Sequence, residues 1–191
     1  MRLFIAALAI SAATAAGAQQ VPCGGSFSGF VSSLKAEARQ RGYEAGTVER
    51  FFAGVRQSQG VLRADRAQGI FQSGFVDFAR KLISQYRLDR GRQYAQQYDS
   101  IFDQIERQYG VQRGVLLAFW AFETDFGGYQ GDFNTINALI TLSHDCRRPE
   151  LFRPQVFAAL ELFSRGQLDR NTTGAWAGEI GQVQMLPEDI I

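Results

Sequence analysis

The apolar positions of this chain recur at intervals of three and four almost throughout, the spacing of one face of an α-helix. In "SFSGFVSSLKAEARQRG" the stripe is Phe27, Phe30, Val31, Leu34 and Ala38. "TVERFFAGVRQ" repeats the spacing with Val48, Phe51, Phe52 and Val55, Thr47 being the expected cap. "GIFQSGFVDFARKLIS" adds Ile70, Phe71, Phe75, Phe78, Leu82 and Ile83. The long polar segment "DRGRQYAQQYDSIFDQIERQYG" carries a narrow stripe of Tyr94, Tyr98, Ile101, Phe102 and Ile105 and reads as one helix, stopped by Gly110. After an unbroken apolar run at residues 115–122, "NTINALITLSHD" and "PELFRPQVFAALELFSRG" predict two more helices, starting at Asn134 and Pro149, with Gly166 as the second stop. No alternating β-branched run of useful length occurs, so the class is all-α, without internal repeat or low-complexity linker. Aromatics at helical spacing are ordinarily core, which is the reading for nearly every Phe beyond the first segment.

That first segment departs from the pattern. "MRLFIAALAISAATAAGA", residues 1–18, has one early Arg2, an apolar stretch and small residues closing on Ala16, Gly17 and Ala18. This is the order of a cleaved secretory signal peptide; the apolar stretch is too short to span a bilayer, and it lacks the polar face of a buried amphipathic helix. Val21 and Pro22 stand before Cys23 where a lipoprotein signal needs small residues. Residues 19–191 therefore read as soluble and exported, forming one domain or one domain and part of another. Lys and Arg number 20 against 19 Asp and Glu, and loss of Arg2 with the leader brings the two into balance. These charges are dispersed rather than gathered in a stripe, which argues against nucleic-acid binding. A monomer is expected.

Export changes the meaning of the two cysteines. Within the chain Cys23 and Cys146 can pair only with each other, and a disulfide is expected; two buried free thiols or a metal site are the alternatives. A metal site is the weaker one, since His144 is the sole histidine and no Cys-x-x-Cys occurs. His144 itself reads as a helix-end or surface residue, because no Ser or Cys nucleophile signature accompanies it. No metal or cofactor motif is found.

The candidate chemistry lies in "AFWAFETDFGG", where the apolar run ends in Glu123. If the helix begins near Gln112 and Gly127 takes the left-handed position after it, Glu123 falls in the last turn. Phe119 and Trp120 would then desolvate it and the negative helix end would oppose its charge, both favouring the protonated state that a general acid needs. The alternative is a solvated acid on a polar face. Asp125 lies about 200° around a helix from Glu123 and points away. A second stretch, "GAWAGEIGQVQMLPEDII", combines Gly174, Gly178 and Gly181 with Trp176, Gln182 and Gln184: close backbone approach, a flat apolar face and neutral amides suit a sugar. Alternatively it is a glycine-rich turn before a helix at Pro187.

Taken together, "GVLLAFWAFETDFGGYQGDFNTINALITLS" and "GAWAGEIGQVQMLP" resemble the lytic murein transglycosylases of the membrane-bound B type, glycoside hydrolase family 103, over roughly residues 27–191. The Glu-[Thr/Ser]-x-[aromatic]-Gly pattern falls on Glu123, Thr124, Asp125, Phe126 and Gly127. The later Ala-Gly motif falls on residues 177–187, with Gln184 at the family's substrate-contacting Gln. The resemblance implies a lysozyme-like helical domain acting on peptidoglycan glycan strands, and cleavage of the β-1,4 bond between N-acetylmuramic acid and N-acetylglucosamine to a 1,6-anhydro product. Glu123 serves there as acid and then base, and Phe126, Trp176, Gly181, Gln182 and Gln184 as the substrate-binding set. A wall enzyme of this kind has wall-synthesis proteins as possible partners. Ala175 departs from a Ser often found two residues before the Ala-Gly pair. The family's chains also run past the second motif, so a domain incomplete at its C-terminus is expected. Two other functions fit the same residues: a muramidase hydrolysing the bond with Asp132 or Glu179 as second carboxylate, and a non-catalytic wall-binding module.

Overall fold

In the computed structural model the described residues are 21–67 and 74–191. The expected signal peptide at residues 1–18, and Ile70 and Phe71 of the third stripe, lie outside them. The described residues form ten helices and one small sheet: α1 Phe27–Gln40, α2 Ala45–Phe52, α3 Gln59–Arg66, α4 Phe75–Leu82, α5 Gln85–Gln97, α6 Asp99–Tyr109, α7 Arg113–Thr124, α8 Thr135–His144, α9 Pro149–Ser164 and α10 Pro187–Ile190. Strands β1 Phe133–Asn134 and β2 Thr173–Gly174 pair antiparallel.

The centre is α8 packed along α9, with α1, α2 and α3 laid over them. Helix α8 reads as apolar on every side because every side is covered: Ile136, Ala138, Leu139, Ile140 and Leu142 are all buried. Leu34, Leu139 and Leu160 are fully enclosed, each contributing about 2 kcal/mol of hydrophobic burial. Asn134 caps α8 by accepting from the Asn137 N–H, and Ser26 does the same for α1. A second layer, α5, α6 and α7, packs beside this core around its own cluster of Tyr94, Tyr98, Trp120 and Phe126.

Several expectations are corrected. Glu44, not Thr47, caps α2; its carboxylate accepts from the N–H groups of Gly46 and Thr47, both at 2.7 Å. The polar segment expected as one helix is two, because Tyr98 (φ −112°, ψ 25°) leaves helical geometry between α5 and α6; Gly110, left-handed at φ 70°, is the stop. Helix α3 was not expected. The aromatic stripe of α4 is not core: Phe75 is 81% exposed. No helix among the described residues is long and apolar enough to cross a membrane.

Cys23 and Cys146 form a disulfide, with Cα atoms 5.3 Å apart. His144 closes α8 with its ring edge-on to Phe27 and Phe30, and its ring nitrogens meet the Gln57 amide at 3.2 Å and the Gly25 carbonyl at 3.1 Å. It is a helix-end residue in a packing role.

Candidate active site

Helix α7 ends two residues before the expected position. Asp125 and Phe126 are left-handed at φ 50° and 61°, followed by Gly127 at 85°. Glu123 still falls in the last turn. Left-handed backbone is unfavourable for residues other than glycine and is held only where surroundings over-determine it. Here the Asp125 N–H donates to the Ala121 carbonyl at 3.1 Å, the Phe126 N–H to Trp120 at 3.0 Å, and the Tyr129 N–H to Thr124 at 3.0 Å. Phe126 is 7% exposed, packed against Tyr94 and Trp120. Gln184 is the other left-handed non-glycine among the described residues. All three thus lie in the two stretches singled out above.

Those stretches meet. Thr124, buried, donates its hydroxyl to the Gln182 carbonyl at 2.6 Å and accepts from the Gly127 N–H at 2.9 Å. The Trp120 indole N–H donates to the Gln182 side-chain oxygen at 2.6 Å. Gly127 is left-handed, and a Cβ there would lie 2.7 Å from that oxygen, so a larger residue would have to displace the Gln182 side chain. The loop carrying Gln182 is closed by an antiparallel bridge between Ile180 and Met185. The Gln184 amide donates to the Gly181 carbonyl at 2.9 Å and to Gln130 at 3.3 Å.

The join encloses one side of an open cavity of about 730 Å³ between α6, α7 and this loop, lined by Tyr98, Ile101, Phe102, Ile105, Leu116, Phe119, Trp120, Glu123, Gln182, Val183, Gln184 and Met185. Glu123 is the one carboxylate in that lining. Leu116, Trp120 and Glu123 are spaced four and three residues apart and share a face of α7. Leu117, Ala118 and Ala121 share the opposite one and meet a hollow beside α5. The run at residues 115–122 thus has apolar neighbours on two faces, while Val115, Phe119 and Phe122 stand exposed.

The expectation that flanking rings bury Glu123 is not met: Glu123 is exposed, and Phe119 and Phe122 are 57% and 43% exposed. The rings stand beside the carboxylate along an open face and do not roof it. Asp125 is turned away as expected, its carboxylate accepting from the Arg87 guanidinium at 2.6 Å. Glu179 is the half-buried acid, pushed above the ordinary carboxylate range chiefly by burial and further by the Glu123 charge. Asp132 lies exposed in the loop before β1.

The expected binding set divides. Gln184 lines the cavity, and Gly181 is exposed nearby with open space around it. Gln182 lines the cavity too, but its side-chain oxygen is engaged by Trp120. Trp176 packs half-buried against the core, and Phe126 is buried, so neither presents the open ring that stacking on a sugar needs. Gly174 and Gly178 admit close approach by protein: a Cβ at Gly178 would lie 2.2 Å from the Leu139 side chain. Sequence reasoning missed the joining roles of Thr124 and Trp120; the Thr stood inside the first motif, but its partner is 58 residues away. Among the described residues no cluster of His, Cys, Asp and Glu could hold a metal ion.

A mainly helical domain with one carboxylate on an open cavity, under a glycine- and glutamine-rich loop, has the architecture of a lytic transglycosylase domain. The chain belongs to that family: the family described as "Transglycosylase SLT domain" matches residues 26–191. The membrane-bound lytic murein transglycosylase B of Escherichia coli K12 is 28% identical over 116 residues, 59% of this chain and 32% of that protein. SltB3 from Pseudomonas aeruginosa, solved in complex with NAG-anhNAM-pentapeptide, superposes with a TM-score of 0.80 at 31% identity, over 86% of this chain and 44% of that one. The Escherichia coli lytic transglycosylase SLT35, solved with bulgecin A, shares the fold at a TM-score of 0.76 and 23% identity, over 88% and 55% of the two chains. This chain spans about a third of the curated relative and about half of each solved one.

Proposed function

We propose that this chain carries the catalytic machinery of a peptidoglycan lytic transglycosylase, with Glu123 as its single acid and base. The observation that carries the reading is that Glu123 alone of the acids opens onto the cavity, while Asp125, its neighbour in sequence, is held outside by Arg87. Two ordinary glycosidase mechanisms each need a second carboxylate at a set distance. A lyase does not. Glu123 protonates the oxygen joining N-acetylmuramic acid to N-acetylglucosamine, and the positive charge that develops at C1 is stabilised in part by the sugar's own N-acetyl group. The Glu123 carboxylate then takes the C6 hydroxyl proton as that oxygen closes on C1, leaving a 1,6-anhydro sugar and restoring the acid. The capture of NAG-anhNAM-pentapeptide by SltB3 supports the same substrate class here.

Gln184, at the cavity lip, is the amide placed to contact the glycan. The leader at residues 1–18 supports export to the periplasm, where the protein acts as a monomer on glycan strands, with wall-synthesis proteins as candidate partners. The proximity of Glu179 gives the hydrolytic reading its one specific support.

Digestion of purified sacculi followed by mass spectrometry tests the proposal. The expected products are anhydro-muropeptides, lighter by one water than the products of a muramidase. Glu123→Gln is expected to reduce their release by about a thousandfold, within the range for loss of a general acid–base. Full activity in that variant overturns the reading, and binding of sacculi without turnover assigns the chain to a wall-binding role.

A further inference from the structure

A second hollow, of about 220 Å³, lies where the link between α2 and α3 and the chain ahead of β2 meet the first turn of α8. Gly54, Arg56, Asn134, Asn137, Arg170 and Asn171 line it, and it shares no lining residue with the Glu123 cavity. Its polar groups are arranged as donors. The Arg56 backbone N–H donates to the Asn137 side-chain oxygen at 3.0 Å, which fixes the orientation of that amide and leaves its Nδ2 without a partner among the described residues. Asn134 is engaged on both sides, accepting from the Asn137 N–H at 3.0 Å and donating to the Arg170 carbonyl at 2.6 Å. No acid lines the hollow, and among the described residues neither Arg56 nor Arg170 makes an ion pair. Asp169, beside Arg170 in sequence, accepts instead from the Asn171 N–H at 2.6 Å. The Arg170 guanidinium lies against Gly54, where φ is 65° and a Cβ would be 3.2 Å from Nη2, so a side chain there would press on the arginine. Two cations brought to one hollow repel each other unless an anion sits between them. Carboxylate and phosphate are the anions whose geometry a guanidinium fork matches.

We propose that this hollow is an anion site that takes a carboxylate of the peptide stem carried by the glycan strand. The inference rests on the glycan reading of the Glu123 cavity. One stretch of chain joins the two places: Gln184 at the cavity lip donates to the Gln130 carbonyl at 3.3 Å, and residues 130–134 lead from there through β1 to the Asn134 cap. Those four residue steps span at most about 14 Å. A stem of four or five residues reaches about 13 to 18 Å when extended, long enough to leave the cavity at Gln184 and bring a carboxylate to Arg56 and Arg170. Pairing of Asn134 with Thr173, and the Thr135 N–H bond to the Thr172 carbonyl at 3.0 Å, hold the α8 side of the hollow to the side carrying Arg170. Neither arginine touches the reacting atoms. They determine which strands are retained, favouring those whose stems end in free acids.

Calorimetric titration of the chain with three compounds tests this: a 1,6-anhydro disaccharide with a free-acid peptide stem, the same compound with its carboxylates amidated, and the disaccharide without peptide. The free-acid compound is expected to bind about tenfold more tightly than the amidated one, the effect of one charge-assisted contact. Arg56→Gln combined with Arg170→Gln is expected to remove that preference and to leave the peptide-free disaccharide unchanged. Both arginines are exposed, so the fold does not depend on them. Asn137→Asp, which keeps an acceptor for the Arg56 N–H and replaces the amide donor by a charge, is expected to remove the preference independently. Equal affinity for the free-acid and amidated compounds overturns the proposal, and so does a preference that survives in the double variant. Inorganic phosphate bound at these arginines, with no preference for the free-acid stem, assigns the hollow to a phosphate ligand and overturns it too. A sugar-free stem peptide captured through Arg56 and Arg170 by a chain that binds no disaccharide supports the anion site and overturns the glycan reading of the Glu123 cavity instead.

Discussion

Gly178 shows how closely the residues of the site depend on one another. Gly178 has φ 95° and sits against Leu139 of α8, so any side chain meets both backbone strain and a filled core. Gly178→Ala is expected to cost about 2 to 4 kcal/mol from overpacking and strain together, read as a lower midpoint in urea unfolding. An unchanged midpoint would show that the loop has room to shift. Glu123 and Gln184 could be proposed from the sequence, because a carboxylate after an apolar run and an amide among glycines both break their local pattern, and both line the cavity. Trp176 and Phe126 were misread as ligand faces, since an aromatic ring looks the same in sequence whether it is covered by protein or open to a sugar.

At the scale of elements, caps decided what could be foreseen. Asn134, Pro149 and Gly166 mark ends through local chemistry, and the helices they bound were expected where they stand, while Gly110 is the expected stop of a segment that proved to be two helices. Glu44 was overlooked because glutamate is an uncommon cap. Its carboxylate is held below the ordinary range chiefly by the Gly46 and Thr47 N–H groups, then by the Thr47 hydroxyl. A depressed acid contributes stability that is present in full above its unfolded value of 4.5 and fades as pH falls through the lower folded value. Glu44→Ala is therefore expected to melt below the parent at pH 7, with the gap closing in acid below pH 4.5; a gap independent of pH would mean the cap acts without its charge. The break at Tyr98 and the exposure of α4 were not legible. Periodicity tells which face of a helix is apolar, and says nothing about whether another element covers it.

The described residues stand mainly in two helical layers, and the disulfide belongs to the one built on α8 and α9. It joins the segment before α1 to the link between α8 and α9, across 123 positions of sequence. Closing a loop of that length removes about 4 to 5 kcal/mol of freedom from the unfolded chain. Reduction, or Cys23→Ser with Cys146→Ser, is expected to lower unfolding stability by up to that amount, measured in urea with and without reductant. No change would place the constraint in structure that the unfolded chain already keeps. A mainly helical class and the disulfide were foreseeable from spacing and composition. The two-layer division was not, because the contacts joining the layers are made by single side chains distant in sequence.

Trp120 stands at that junction, stacked on Tyr94 with ring centroids 4.8 Å apart and its indole N–H bonded to Gln182. The chain has only two tryptophans, and the other, Trp176, packs half-buried against the core. The cavity wall therefore contains its own fluorophore. A saccharide entering would displace water from one indole and leave the other in place, so in a Trp176→Phe chain the emission colour alone would report whether the cleft is filled, with unlabelled glycan and before any bond is cut.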